Sequence, residues 1–184
     1  MDNGASSYRR FRDTGDENAL VEIIRDYKDG LILYLSSIVG DINTAEALAE
    51  DTFVLLGTKK PKDKGGSSFK TWLYTIGRNI AIDYLRRQKR RREIPLDDAA
   101  KLNDTELERS FIREERKIIL HSAMNRLKPE YRQVIWLIYF EGMTNKEAAA
   151  VMKKSVHNID VLVSRARKSL KIHLETEGFD HEDL

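Results

Sequence analysis

The chain has 184 residues, of which 41% are hydrophobic and 34% charged, with a formal net charge of +2. This composition favours one or two folded domains and excludes a polybasic coat protein. Cysteine is absent, which excludes disulfides, thiolate metal sites and cysteine nucleophiles and fits a reducing cytoplasm. Because we find neither a secretory leader nor an apolar run of membrane length, we expect a cytoplasmic protein without membrane insertion.

The first half of the chain predicts helices. Polar residues 1–7 are expected to be flexible. Apolar side chains then recur at helical spacing over residues 18–30 and 31–39, which predicts two core segments separated by a glycine. A third helix is predicted to begin with a capping pair at Asn43 and to end at Gly57.

The third predicted helix has an acidic outer face, formed by Glu46, Glu50 and Asp51. Such a face is usually only solvated surface. It is also suited to docking on a basic partner, because complementary charge favours association. The residues alone leave both interpretations open.

Beyond the glycine-containing loop of residues 59–68, aromatic side chains alternate with basic and amide ones. Bases of an opened nucleic-acid strand stack on aromatic rings while cations follow the backbone, so this composition is typical of strand binding. For Trp72, packing in the core is an equally good interpretation. The candidates for strand binding are Trp72, Tyr74, Arg78, Asn79, Asp83, Arg86 and Arg87.

An acidic stretch follows Pro95, which disfavours helix at the residue before it. We therefore expect an all-α fold of two small helical domains, residues 1–93 and 114–184, joined by a flexible linker over residues 94–113. In the second domain an amphipathic helix is predicted over residues 118–127. It is followed by a helix over 129–142 that is apolar nearly all round and forms the centre of the second core.

Residues 143–170 predict two short helices joined by a tight turn. Thr144 and Glu147 have the spacing of a capping box that starts the first helix, and Ser155 is a good N-cap for the second. The second helix has a predicted buried stripe of Val156, Ile159, Val163, Ala166 and Leu170.

The other face of the second helix has hydrogen-bonding side chains first and basic ones behind. That order suits a helix in a DNA major groove, so the domain is a helix-turn-helix candidate, although any helical hairpin with a polar face has a similar pattern. The candidates for duplex binding are Ser155, His157, Asn158, Asp160, Val161, Ser164, Arg165 and Lys168.

With both halves considered together, the chain resembles the extracytoplasmic-function (ECF) group of bacterial RNA polymerase sigma factors over about residues 31–170. The stretch GDINTAEALAEDTF at residues 40–53 is similar to the helix of that family that binds the polymerase clamp. The stretch FKTWLYTIGRNIAIDYLRR at residues 69–87 is similar to its segment for melting and reading the minus-ten promoter element. Three further stretches resemble the domain that reads the minus-thirty-five element: LKPEYRQVI at 127–135, EGMTNKEAA at 141–149 and SRARKSL at 164–170.

The resemblance implies a promoter-specificity subunit that performs no bond chemistry and needs no cofactor. The first domain would be sigma region 2 and the second domain sigma region 4. Its partners would be promoter DNA, an anti-sigma factor, and core RNA polymerase through the clamp of the largest subunit and the flap of the second largest. The polymerase-binding residues that the resemblance implies are Asp41, Glu46, Glu50, Asp51 and Phe53.

The resemblance also implies roles within the strand-binding segment. Asn79 and Asp83 lie one helical turn apart and would flank the pocket that receives an unstacked base. The arginines at 78, 86 and 87 would contact phosphates.

Departures from the family pattern occur in both domains. Lysines at 153–154 stand where the family usually has a glycine-containing turn, and Asp160 and Val161 replace basic or small polar side chains. An aspartate at this position repels phosphate but accepts a hydrogen bond from a cytosine amino group. Ala47 and Glu50 replace a more usual acid and amide on the docking face.

Two other functions are compatible with parts of the sequence. A stand-alone, dimeric helix-turn-helix regulator would leave the aromatic and basic segment unexplained. An enzyme acting on nucleic acid could use Asp97, Asp98 and Asp104 as metal ligands, but no histidine lies near them in the sequence.

Overall fold

The structure is a computed structural model that describes residues 3–63, 65–92 and 115–176. All regular secondary structure in these ranges is helical, as predicted. The helices are α1 (Asn3–Thr14), α2 (Glu17–Val39), α3 (Ile42–Lys59), α4 (Phe69–Arg92), α5 (Glu115–Arg126), α6 (Pro129–Ile135, continued by a π-helical turn Trp136–Phe140), α7 (Asn145–Met152) and α8 (Val156–Thr176).

Helices α1 to α4 form the first domain around α2, which packs against the other three. The central side chains of this domain are fully buried and come mainly from α2 and α4. They include Ile23, Leu31, Tyr34, Leu35, Leu56 and Leu73. Apolar burial of this kind is the main stabilising contribution to a helical core.

Helix α1 was not predicted, and the expectation that residues 1–7 are flexible is wrong for residues 3–7. The Tyr8 ring lies 5.6 Å from the Phe69 ring and 5.1 Å from the Trp72 ring, measured between centroids. Its hydroxyl donates to the Pro61 carbonyl at 2.7 Å, and burial raises the pKa of Tyr8 to about 12. A polar segment with two large apolar residues becomes helical here because packing on α4 supplies the stability that helix propensity lacks.

The two core segments predicted on either side of Gly30 form the single helix α2. A β-carbon at Gly30 would lie 2.6 Å from the Tyr74 hydroxyl and 2.7 Å from Glu141 Oε1. This glycine therefore marks a close approach between helices. The helix ends at Gly40, whose φ of 80° is the left-handed conformation that glycine adopts readily.

The start and the end of α3 also differ from the prediction. Asp41 is the N-cap, and its carboxylate accepts from the Thr44 amide at 2.7 Å. The helix continues beyond the predicted stop at Gly57 to Lys59. Gly57 adopts the helical backbone conformation, and the glycine therefore does not end the helix.

The last part of α6 is a π-helical turn, in which the Glu141 amide donates to the Trp136 carbonyl at 3.0 Å. Val134, Ile135 and Leu137 are buried, which confirms that this segment contributes to the second core. Tyr139 and Phe140 are 54% and 47% exposed, so the expectation of a helix buried on nearly all sides is wrong at its end.

The predicted helix-turn-helix is present as α7 and α8. The Thr144 and Glu147 capping box is formed as predicted, and the Ser155 hydroxyl accepts from the Asn158 amide at 3.2 Å at the start of α8. Lys153 closes α7 with a φ of 54°, so a lysine adopts the left-handed conformation that glycine usually provides. Val156 belongs to the predicted buried stripe but is 44% exposed, so its predicted burial is wrong.

The two domains pack against each other. Helix α4 contacts α7, and α2 contacts α6. The buried hydrophobic residues of both domains form one continuous cluster. The predicted linker of residues 94–113, with its candidate metal ligands, lies outside the described residues.

Candidate nucleic-acid interface

The outer face of α8 is available to DNA over most of its predicted length. His157, Asn158, Ser164, Arg165 and Lys168 are all exposed, while Ile159 and Ala166 on the opposite side are fully buried. The helix therefore projects one polar and basic face from the surface of the domain.

Three residues of the predicted duplex-binding set have structural roles or reduced exposure. The Ser155 hydroxyl is the cap described above, and Val161 is half-buried. The Asp160 carboxylate accepts from the Asn145 side-chain amide at 2.6 Å, which links α8 to the first turn of α7. Asp160, a departure from the family pattern, thus ties the two helices of the motif together.

The predicted strand-binding residues share helix α4 but differ in exposure. Arg86 and Arg87 are exposed, and the Arg86 guanidinium pairs with the Asp83 carboxylate at 3.2 Å. Arg78 and Asn79 are half-buried on the adjoining part of the same face. The helical spacing of these residues brings them together along one side of α4.

The two aromatic candidates of this segment belong to the packed interior. Trp72 is half-buried, and its ring packs against Phe69 at 5.6 Å as well as against Tyr8, which is the core-packing alternative. Tyr74 is 1% exposed, with its ring 5.4 Å from that of Tyr34. Contrary to the prediction, Tyr74 offers no surface to an opened strand in this arrangement.

Tyr74 lies at the contact between the domains. Its hydroxyl donates a hydrogen bond to the Glu141 carboxylate. Burial is the main cause of the raised pKa of Tyr74, and the negative charge of Glu141 raises that pKa further. Burial also raises the pKa of Tyr34, against the opposing effect of the Arg78 guanidinium. Both phenols are therefore uncharged at neutral pH.

The acidic face of α3 is partly occupied by internal contacts. Glu50 and Asp51 are exposed, whereas Glu46 lies 3.6 Å from the Lys28 amine. Asp41 caps the helix. Phe53 is 6% exposed and belongs to the core, so its predicted contact with polymerase is contradicted by its burial.

Sequence reasoning missed the residues that join the domains. Glu141, whose side chain is 9% exposed, pairs with the Lys70 amine at 2.7 Å, and the same amine donates to the Glu141 carbonyl at 2.8 Å. From the other side, Arg132 Nε donates to the Ser37 carbonyl at 3.1 Å. No signal in the sequence identifies these partners, because 71 and 95 positions separate them.

Glu147 has two tasks at this contact. One carboxylate oxygen completes the capping box of α7 by accepting from the Thr144 amide at 2.9 Å. The other accepts from the hydroxyls of Ser68 at 3.0 Å and Thr71 at 3.3 Å, at the start of α4. The hydrogen bond from the Thr144 backbone, and after it those from the three hydroxyls, lower the pKa of Glu147 despite partial burial.

The described ranges contain no group of three or more side chains suited to holding a metal ion. Within the same ranges, no helix is both long enough and apolar enough to span a membrane.

A helix-turn-helix with an exposed polar and basic face, beside a second helix with clustered arginines and an asparagine, is typical of a DNA-binding protein. Residues 23–91 match the Sigma-70 region 2 family, and residues 117–170 match the Sigma-70, region 4 family. The ECF RNA polymerase sigma factor SigM of Bacillus subtilis is 30% identical over 150 residues, covering 82% of this chain and 91% of that protein. The chain therefore belongs to the ECF sigma factors of RNA polymerase.

Other relatives agree with this assignment. The RNA polymerase sigma-H factor of Pseudomonas aeruginosa is 27% identical and covers 85% of this chain and 86% of that protein. The sigma factor RpoE of Bartonella quintana, solved in complex with the anti-sigma factor NepR, superposes with a TM-score of 0.64 at 25% identity, covering 84% of this chain and 95% of that one. CnrH, solved with the cytosolic domain of CnrY, shares the fold with a TM-score of 0.65 at 22% identity, covering 95% and 96%.

The protein is thus a promoter-specificity subunit. It binds core RNA polymerase, directs the enzyme to a subset of promoters and helps to open the DNA for initiation. The stand-alone regulator and the nucleic-acid enzyme considered from the sequence do not account for matches to both sigma regions.

Proposed function

We propose that two helices recognise the two promoter elements. Helix α8 reads the minus-thirty-five element as duplex through Asn158 and neighbouring polar side chains, with Arg165 and Lys168 on phosphates. Helix α4 receives the opened minus-ten strand along Asn79, Asp83 and its arginines. The observation that carries this proposal is the position of each polar set on the outer face of a helix whose other face is buried.

We further propose that the acidic side chains Glu50 and Asp51 of α3 dock on the polymerase clamp, and that the second domain binds the flap. The domain division of residues 1–93 and 114–184, with 94–113 as a tether, is part of this proposal, because separate attachment sites on polymerase require separate modules. Its test is Glu50→Lys, which should weaken binding to core polymerase, with Asp29→Lys on the exposed surface of α2 as the matched control.

An anti-sigma factor is the proposed inhibitory partner. The RpoE of Bartonella quintana, which is similar to this chain over most of its length, was solved in complex with such a protein. The proposed site of action is promoter DNA in the cytoplasm, without membrane insertion, catalysis or a cofactor of its own.

The experiment that tests the function is run-off transcription with purified bacterial core polymerase and sheared genomic DNA, with RNA starts mapped with and without this protein. Discrete new starts that share two spaced upstream elements are expected. If the protein does not bind core polymerase, or binds it and produces no promoter-dependent start, the proposal fails.

Variants of α8 test the assignment of the duplex-reading residues. Arg165→Ala should weaken binding to every upstream element, since a phosphate contact carries no sequence information. Asn158→Ala should change the sequence preference, because a lost base contact costs about 1 to 3 kcal/mol at one position only. Lys171→Ala, one turn further along the helix beside Glu175, is the matched control. Uniform loss on all sequences from Asn158→Ala would contradict its role.

A further inference from the structure

Asp160 places a carboxylate on the outer face of α8, and its surroundings leave that carboxylate charged. It is exposed and lies between His157 and Ser164, three positions before it and four positions after it, which are exposed as well. Within the described ranges no cation pairs with Asp160, and the group that contacts it is the side-chain amide of Asn145 at 2.6 Å. Because an amide is neutral, this contact orients the carboxylate without cancelling its charge.

Asn145 is itself held in place by the helix that it begins. It is half-buried and is the first residue of α7, directly after Thr144, whose capping box fixes this end of the helix. Its Nδ2 donates to Oδ1 of Asp160, and Oδ2 of the same carboxylate has no hydrogen-bond partner within the described residues. A side chain that is already oriented loses less rotamer freedom on binding than an unrestrained one. The pair therefore presents one fixed, charged acceptor beside the other outward-facing side chains of α8.

The four bases differ in what they offer such an acceptor in the major groove. Guanine presents two acceptors there, and thymine presents one acceptor and a methyl group, so neither can donate to a carboxylate oxygen. Adenine has an amino donor, but the N7 acceptor of the same base lies next to it. Cytosine presents its amino donor without an acceptor of its own. A charged acceptor on α8 therefore favours cytosine.

We propose that Asp160 selects cytosine at one position of the minus-thirty-five element and that Asn145 is the positioning residue that orients it. This inference rests on the proposed reading of duplex DNA by α8 and adds the identity of one base and a residue outside the recognition helix. Asn145 acts through Asp160 rather than on DNA. The carboxylate also repels phosphates on every sequence, so it disfavours sites that lack the compensating amino group.

Selection from a promoter library tests the choice of base. Core polymerase loaded with the full-length protein binds a promoter found by run-off transcription, in which the upstream element has been randomised, and the bound DNA is sequenced. The wild type should enrich cytosine about tenfold over the other bases at one position. Asp160→Ala should lose that enrichment at this position alone. If the two proteins enrich the same bases everywhere, the assignment of cytosine is overturned, while enrichment of an upstream element by the wild type still supports the proposed function.

A double-mutant cycle in the same selection tests the positioning role. Asn145→Ala should reduce the enrichment of cytosine about threefold, because Asp160 is still present but no longer oriented. In the Asp160→Ala background the same substitution should leave this position unchanged. The matched control is Asn125→Ala, which removes an exposed amide of α5 that contacts His121 and Arg132, and it should not alter the preference. An equal effect of Asn145→Ala in both backgrounds would overturn the positioning role.

A contact that only joined α7 to α8 would give a different result. Asn145→Ala would then lower the midpoint of thermal unfolding and weaken binding to all library members equally, with the preference for cytosine intact. That outcome would refute the inference. We expect instead a changed preference at one position, with helical content by circular dichroism equal to that of the wild type.

Discussion

Glu147 connects the helix-turn-helix to the strand-binding helix α4, because its single carboxylate accepts hydrogen bonds from both. Its carboxylate accepts from the Thr144 amide of its own capping box and from two hydroxyls at the start of α4. A sequence pattern could predict the first contact, because a capping box is local. The second could not be predicted, since Ser68 is 79 positions away.

Replacing Glu147 by glutamine keeps an acceptor but removes the charge. The folded protein lowers the pKa of Glu147 below its ordinary 4.5. The charged form therefore stabilises the fold above that ordinary pKa, and its contribution is lost as the pH falls through the lowered value. Glu147→Gln should cost about 1 kcal/mol of unfolding free energy at neutral pH, and the difference from wild type should shrink steadily below about pH 4.5.

Urea unfolding at a series of pH values measures this difference. The control is Glu50→Gln, because Glu50 is exposed on α3 and makes no ion pair within the described residues. Glu50→Gln should change the unfolding free energy by less than about 0.5 kcal/mol. A Glu147→Gln difference that stays constant from pH 7 to pH 3 would show that the charge is not what stabilises this contact.

At the scale of helices, local signals predicted the elements with caps and apolar stripes. The start of α7 and the cap of α8 are examples, because both depend on residues within one turn. Helix α1 escaped prediction because its stability comes from distant residues, since Tyr8 packs on Phe69 and Trp72 and the buried Phe11 ring lies under the Lys60 amine. The burial of Tyr74 escaped prediction for the same reason, since its hydroxyl partner belongs to the other domain.

Gly30 in the middle of α2 is a test of the contact between helices. In an unobstructed helix, glycine to alanine raises stability by about 1 kcal/mol through helix propensity. At Gly30 the new methyl group would meet the buried Tyr74 hydroxyl and the ion-paired Glu141 carboxylate. We expect Gly30→Ala to reduce the unfolding free energy by about 1 to 2 kcal/mol, because overpacking outweighs the propensity gain.

Gly57→Ala in α3 is the matched control for this substitution. Its β-carbon would lie 3.5 Å from Leu20, which is an ordinary van der Waals distance. It should therefore stabilise the protein by about 0.5 to 1 kcal/mol. If both variants were equally stabilised in denaturant titrations, Gly30 would not lie against Tyr74 and Glu141 in solution.

For the whole molecule, the relation between the domains decides whether α4 can receive DNA. The second domain places Glu141 over Tyr74 and Lys153 beside Asn79. An opened strand on α4 would compete for that space, so we expect the domains to separate on polymerase. The sequence predicted the two domains but not their contact, because the polar pairs and the apolar side chains that form it are far apart in the chain.

The Lys70 and Glu141 ion pair should control this separation. Glu141 is almost buried, and Lys70→Met would leave its carboxylate without a counter-ion beside the Tyr74 hydroxyl. This free-energy cost is removed when the domains separate and water solvates the Glu141 carboxylate. The variant should therefore be more open than the wild type. Since Lys70 is itself about one third exposed, the effect should be smaller than the 3 to 5 kcal/mol typical of a fully buried pair, roughly 1 to 3 kcal/mol.

Energy transfer between two dyes measures the opening. The chain has no cysteine, so Val21→Cys and Ile172→Cys, each 61% exposed, provide unique labelling sites on the two domains. Transfer should fall when core polymerase binds, and should already be lower in free Lys70→Met than in wild type. Lys89→Met, an exposed lysine of the same helix, should leave transfer unchanged. Equal transfer in free wild type and free Lys70→Met would mean that this ion pair does not hold the domains together. If transfer did not change when polymerase binds, α4 would accept its strand with the second domain still packed against it.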